Sequence, residues 1–338
     1  MAARAFITGL SGLELTDEER AFLRQARPWG VILFKRNILD KSQVSGLVRE
    51  VLDELGRETA VLVDQEGGRV QRLGPPHWPV YPPAAAYGEL YDRDREAGLA
   101  AVRLGARLIA ADLAELGINV DCLPLADVPV DGADRIIGDR AYGTAPDKVA
   151  ALAAAAAAGL MDGGVLPVLK HLPGHGRATA DSHEKLPVVH AGRATLEATD
   201  FAAFRPLKKL PLGMTAHVVF TAVDPVLPAT TSPTTIRDVI RGTIGFDGCL
   251  MSDDMSMGAL SGSLAERARA ALAAGCDLVL HCNGKIDEMR AVAAEAPELE
   301  GEALRRAEAA LAARQPAGAF DAEKARSEFA AMMQARIA

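Results

Sequence analysis

Eight short apolar runs, separated by longer stretches with helical periodicity, constrain this sequence more than any other feature. The runs are AFITGL (5–10), GVILF (30–34), AVLVDQE (60–66), INVDCLPLAD (118–127), VLPVLKH (165–171), LGMTAHVVF (212–220), GCLMSDD (248–254) and CDLVLHC (276–282). None alternates cleanly between apolar and polar residues, the pattern of strands covered on both faces. Between them, Val44, Leu47, Val48, Val51, Leu52 and Leu55 recur at three and four spacing until Gly56. Val102, Ala106, Ile109, Leu113 and Leu116 repeat the pattern up to Gly117, and residues 147–161 form an alanine-rich helix. Ser263 is placed to cap LAERARAALAA, which runs into Gly275, and a further Ala/Leu-rich helix is expected near 302–314.

Eight strands alternating with helices predict an α/β fold of the (β/α)8 TIM-barrel type. An open doubly wound sheet is the alternative, weakened because no GxGxxG opens a helix after an early strand. Length fits one barrel, and no composition break divides the chain, so residues 1–338 are read as a single catalytic barrel domain with 316–338 unassigned. The proline-rich segment 74–87 reads as a long ordered loop.

The net charge of −8 argues against a nucleic-acid or anionic-membrane surface. No stretch approaches the ~20 apolar residues of a membrane span. Cys122, Cys249, Cys276 and Cys282 show no CxxC spacing and read as buried free thiols of a reducing compartment. A cytoplasmic protein is therefore expected, with no signal segment at its start.

Polar residues gather at the downstream ends of the apolar runs: Asp64, Gln65 and Glu66, then Lys170 and His171, His217, and Asp253 with Asp254. In a parallel barrel those ends share the face that carries active sites. The densest cluster is KHLPGHGRATADSHEKLP (170–187), which holds three of the seven histidines. A metal site using His171, His175 and His183 with Asp253 is one reading, although Pro173 and Gly174 forbid the helix that would align the first two. In another, Asp181 and His183, two apart in an extended segment, point the same way, so that the carboxylate fixes the imidazole for proton transfer. A solvated surface pair is the bland alternative, and His175 reads as turn chemistry. In MSDDM only one of two adjacent carboxylates should face a pocket. Gly67-Gly68, between Asp64 and Arg72, reads as a turn or a close approach to ligand, and Arg135 and Arg140 as surface links.

Together, DQEGGRVQRL, IGDRAYG, KHLPGHG with DSHEKLP, and SDDMSMGAL resemble glycoside hydrolase family 3, and within it the bacterial cytoplasmic β-N-acetylglucosaminidases of cell-wall recycling. The resemblance spans roughly residues 5–285, with Leu172 where the motif usually carries Phe. It implies a retaining exo-hydrolase that removes terminal N-acetylglucosamine from muropeptides. Asp253 would be the nucleophile and His183 the acid/base oriented by Asp181, while Asp64, Arg72, Arg140, Lys170 and His171 would hold the sugar. It implies no metal and no cofactor and a small carbohydrate as partner; a monomer is the default expectation. A metal-dependent hydrolase, a family 3 β-glucosidase or phosphorylase, and a non-catalytic sugar-binding barrel are the alternatives.

Overall fold

The computed structural model describes residues 2–334. Eight parallel strands close into a barrel: β1 (Arg4–Gly9), β2 (Pro28–Leu33), β3 (Ala60–Val63), β4 (Val120–Asp121), β5 (Leu166–Leu172), β6 (Leu212–Thr215), β7 (Cys249–Asp254) and β8 (Leu278–His281). Each lies beside its neighbour in sequence, and β1 pairs with both β2 and β8, which rules out the open sheet. Nearly every strand residue is buried, as the uninterrupted apolar runs require. Helices cover the outside. Lys41–Leu55 buries Val44, Leu47, Val48 and Val51, the stripe read from the sequence, and a capping box between Ser263 and Glu266 opens Leu264–Ala274. One apolar core cluster extends through the barrel and its helical coat.

Three departures from the expected strands bear on the site. The third run leaves the barrel after Val63, and residues 65–71 fold into a separate antiparallel hairpin, Gln65–Gly67 with Val70–Gln71. At Gly67 φ is +94°, and a Cβ there would lie 2.4 Å from the Pro82 carbonyl oxygen, so this turn excludes side chains. The sixth run stops at Thr215, and Val219–Phe220 pairs instead with Val188–Val189. Register slips between β7 and β8, where Met251 faces Leu278 but Asp254 faces Leu280. Three steps on one strand then match two on the other, so strict alternation fails next to Asp253. The tail forms a helix, Ala322–Gln334, packed on Arg95–Ala114. Residues 335–338 of that tail lie outside the described residues.

The fourth run keeps only Val120–Asp121 as regular ladder. A side chain replaces backbone beside it. The Val61 N–H donates to Asn119 Oδ1 at 2.7 Å, and Asn119 Nδ2 donates to the Thr59 carbonyl at 2.9 Å. Asn119→Ala would leave two buried main-chain groups without partners. We expect a loss of about 2 kcal/mol, within the range for an unsatisfied buried group, read from the urea midpoint at unchanged m-value.

Candidate active site

The strand ends carry a buried chain of charges. Lys170, on β5, extends its Nζ to Asp64 Oδ1 at 3.2 Å and to Glu66 Oε1 at 2.6 Å. Asp64 Oδ2 accepts from Arg72 Nη2 at 2.7 Å. Glu66 accepts two bonds from Arg140, 2.9 and 2.8 Å, in the fork geometry that guanidinium and carboxylate share. Enclosure alone pushes the Asp64 carboxyl up, but Lys170 and Arg72 outweigh it and hold it far below the ordinary range. Glu66 behaves alike: burial raises it, while Arg140 and Lys170 bring it down to about 2. Read from sequence, Glu66 is a strand-end acid with no role given to it in the site. Its signal was present, since it stands two places from Asp64 in an extended stretch and so projects to the same side.

A cavity of about 380 Å³ opens above this network, within the size range of a small-ligand site. Asp64, Arg72, Arg140, Lys170, His171, His183 and Asp253 all border it. Of the eight residues assigned to the site through the resemblance, Asp181 is the one that does not border the cavity. Ile32, Phe34, Ile136, Met214 and Met257 supply apolar lining. Arg140, for which a surface link was the bland reading and sugar binding what the resemblance implied, is almost wholly enclosed, with a tenth of its side chain exposed.

Both acids of MSDDM border the cavity, which corrects the expectation that one would turn away; the register slip at β7 is the cause. They differ in their partners. Asp254 accepts from the Ser256 N–H and Oγ and from the Cys282 N–H, so its oxygens brace the turn after β7. Asp253 Oδ1 accepts only its neighbour's N–H, from Asp254 at 2.8 Å. Enclosure pushes the Asp253 carboxyl up, yet the imidazoles of His171 and His217 and that N–H prevail, keeping it below its ordinary value. Asp253 is thus a carboxylate at neutral pH with an oxygen left for a ligand.

The histidines have separate duties. His171 Nδ1 lies 2.7 Å from Asp127 Oδ2, and Asp127 Oδ1 also accepts the His175 N–H at 2.6 Å. Asp127 ends the fourth apolar run and was not singled out in sequence. His175 is buried and meets Ser182 Oγ at 3.0 Å through Nε2. His183 Nδ1 lies 2.7 Å from Asp181 Oδ1, which also accepts the His183 N–H at 2.8 Å. The expected pairing is therefore present, but on a turn and not in an extended segment: the Glu184 and Lys185 N–H groups both reach back to the Asp181 carbonyl. The ring of His183 is 61% exposed, so water reaches it. Among the described residues, no three His, Cys, Asp or Glu side chains converge as a metal shell.

Two close approaches hold the loop bearing His183. At its base, a Cβ on Gly176 would lie 2.1 Å from the Val128 carbonyl oxygen, and Arg177 pairs with the buried Asp200 at 2.6 Å. At its tip, the N–H groups of Gly258 and Ala259 donate to the carbonyls of His183 and Ser182 at 3.0 and 3.1 Å. A Cβ at Gly258 would stand 2.7 Å from the His183 carbonyl oxygen. The loop therefore lies over the cavity, docked on the segment that follows Asp253.

The chain is similar to proteins of known family and structure. Residues 6–312 match the glycosyl hydrolase family 3 N-terminal domain. A beta-hexosaminidase of Alkalilimnicola ehrlichii is 42% identical over 280 residues, covering 81% of this chain and 79% of that protein. One from Aromatoleum aromaticum is 37% identical over 318 residues, covering 93% and 89%. In structure, the chain is similar to NagZ from Neisseria gonorrhoeae, solved in complex with N-trifluoroacetyl-D-glucosamine: the TM-score is 0.86 at 31% identity, covering 99% of this chain and 97% of that one.

Burial, and then the nearby His171, depress His175 from its ordinary 6.5 to about 4. It stays neutral in the folded protein where the unfolded chain would take up a proton. A depressed pKa stabilises the fold fully above about pH 6.5, and that contribution drains away as pH falls toward 4. The gap corresponds to about 3 kcal/mol. His175→Gln should flatten this limb, so the urea midpoints of variant and parent should converge between pH 6.5 and 4.

Proposed function

This chain belongs to glycosyl hydrolase family 3, and we propose that it acts as a retaining exo-β-N-acetylglucosaminidase. The observation that carries the reading is the placement of two unlike groups on one cavity: the Asp253 carboxylate, and the His183 ring paired with Asp181. The names of the relatives support a hexosaminide substrate, and the sugar bound in the Neisseria structure supports recognition of an N-acylated glucosamine.

In the first half-reaction an oxygen of Asp253 attacks the anomeric carbon. That bond forms as the glycosidic bond breaks, and the leaving oxygen takes a proton from His183. With Nδ1 donating to Asp181, the proton that moves is on Nε2. Asp181, held below its ordinary value against its partial burial by the His183 N–H and ring, stays ionised and stabilises the imidazolium. In the second half-reaction neutral His183 takes a proton from water as the oxygen of that water attacks the same carbon, and Asp253 leaves. A group that gives and then takes a proton suits an imidazole, in place of the second carboxyl most glycosidases use. Asp64, Arg72, Arg140, Lys170 and His171 hold the sugar by bonds to its hydroxyls, in a site ordered before the substrate arrives.

The natural substrate in this reading is a peptidoglycan-derived muropeptide, cleaved in the cytoplasm during cell-wall recycling by a monomeric enzyme. The resemblance of the four motifs supports the muropeptide and the cell-wall role, while the monomer is a default. No helix among the described residues is long and apolar enough to cross a membrane.

Asp253→Asn should keep a native circular dichroism spectrum and lose on the order of 10³-fold or more in turnover of an aryl β-N-acetylglucosaminide. Near-parental turnover would refute the nucleophile. His183→Ala should cost about 10²- to 10⁴-fold on substrates with basic leaving groups and far less on a nitrophenyl glycoside, whose departure needs little protonation. Equal losses on both would remove the acid role from this ring.

A further inference from the structure

The helix Ala322–Gln334 lies beyond the residues matched by the family domain, which end at 312. It nonetheless reaches toward the cavity through a short chain of contacts. Arg326 places Nη2 2.5 Å from Asp112 Oδ1 and Nη1 3.1 Å from the Tyr81 hydroxyl. Tyr81 completes the triangle, donating to Asp112 Oδ2 at 2.6 Å. Two members of this tie, Tyr81 and Asp112, are buried. Phe329, one helical turn further on, packs its ring against Tyr81 and Tyr87. It also lies over Gly105, where a Cβ would meet the ring at 3.0 Å.

The other side of Tyr81 grips the hairpin. The Tyr81 carbonyl accepts the Gly68 N–H at 2.8 Å, and the Tyr81 N–H donates to Gln71 Oε1 at 3.0 Å. Gly67 sits against the Pro82 carbonyl too closely for any side chain. Glu66 lies within this hairpin, Asp64 immediately precedes it, and Arg72 immediately follows. The loop that carries Tyr81 holds five prolines, which limits its freedom to absorb a shift.

We propose that the C-terminal helix is a strap that fixes the sugar-holding hairpin through Tyr81, with Arg326 as its positioning residue. The proposal rests on reading Asp64 and Arg72, at the two ends of the hairpin, as part of the sugar site. Arg326 touches no group that borders the cavity. It acts by locking the Tyr81 side chain, and thereby the backbone on which Gly68 and Gln71 hang. Displacing that hairpin by a fraction of an ångström would misalign the carboxylate and guanidinium that meet the sugar, an effect on binding geometry more than on the chemical groups.

Arg326→Met tests this, with Arg326→Lys as the conservative variant that keeps a donor, and Phe329→Leu as a milder trim of the same strap should the first variant fold poorly. Two readouts are needed. Hydrogen exchange followed by mass spectrometry should show faster exchange in peptides covering 64–73, with the barrel strands unchanged. The KM for an aryl β-N-acetylglucosaminide should rise on the order of tenfold, with a smaller change in kcat, and Arg326→Lys should recover much of the loss. Adding Tyr81→Phe to Arg326→Met should cost little more than the single change, because both break one tie. A fall in thermal midpoint with exchange in 64–73 unaltered, or faster exchange with KM unaltered, would overturn the proposal and leave the helix a stabilising element only. The exchange readout does not depend on the reaction. Faster exchange in a protein whose parent cleaves no N-acetylglucosaminide would support the strap and reject the functional reading instead.

Discussion

Lys170 is the fixed point of this molecule. Its ammonium lies on an inner strand of the barrel, almost without access to water, and is tolerable there only because Asp64 and Glu66 close on it from a separate segment. Each carboxylate in turn needs a second cation, Arg72 for one and Arg140 for the other. Deleting any one member would strand a buried charge, at a cost of about 3–5 kcal/mol. The five groups carry three positive and two negative charges, so one positive charge is left over, and the Asp253 carboxylate on the same cavity offsets it. The network therefore orders three distant stretches of chain and, through Lys170, adds to the effect of His171 and His217 that keeps Asp253 ionised.

The second organising constraint is steric. The loop that carries His183 is held between Gly176 at its base and Gly258 at its tip, each so close to a carbonyl oxygen that a methyl group would not fit. Gly258 also donates its N–H to that loop. The segment that follows the acid of β7 thus provides the seat for the loop carrying the base. In the proposed mechanism the two reacting groups are related through backbone contacts and not through any bond between their own side chains. The relation survives side-chain motion and depends on main-chain geometry at a glycine.

Much of this was legible in the sequence because parallel strands buried on two faces have nowhere to put polar residues except their ends. The eight runs, the helical stripes and the clustering of Asp64, Lys170, His171 and Asp253 all follow from that single condition. What escaped reading required knowledge of neighbours. Glu66 and Asp127 look like ordinary strand-end acids until Arg140, Lys170, His171 and His175 are placed around them. The exposure of both Asp253 and Asp254 to one cavity depends on a slip between β7 and β8, and one strand's sequence holds no record of its partner's register. The Asp181–His183 contact was anticipated for the wrong reason: an extended backbone was assumed, whereas the carboxylate itself ties a turn by capping the His183 N–H.

His183 stands mostly in water, while its partner Asp181 is partly covered. A ring so placed needs no wire of buried hydroxyls or ordered solvent to exchange its hydrogen. Before the substrate arrives the bulk solution itself can serve as reservoir and charge the ring, so the barrel interior is left free to be built for rigidity and charge, with no conduit threaded through its packing.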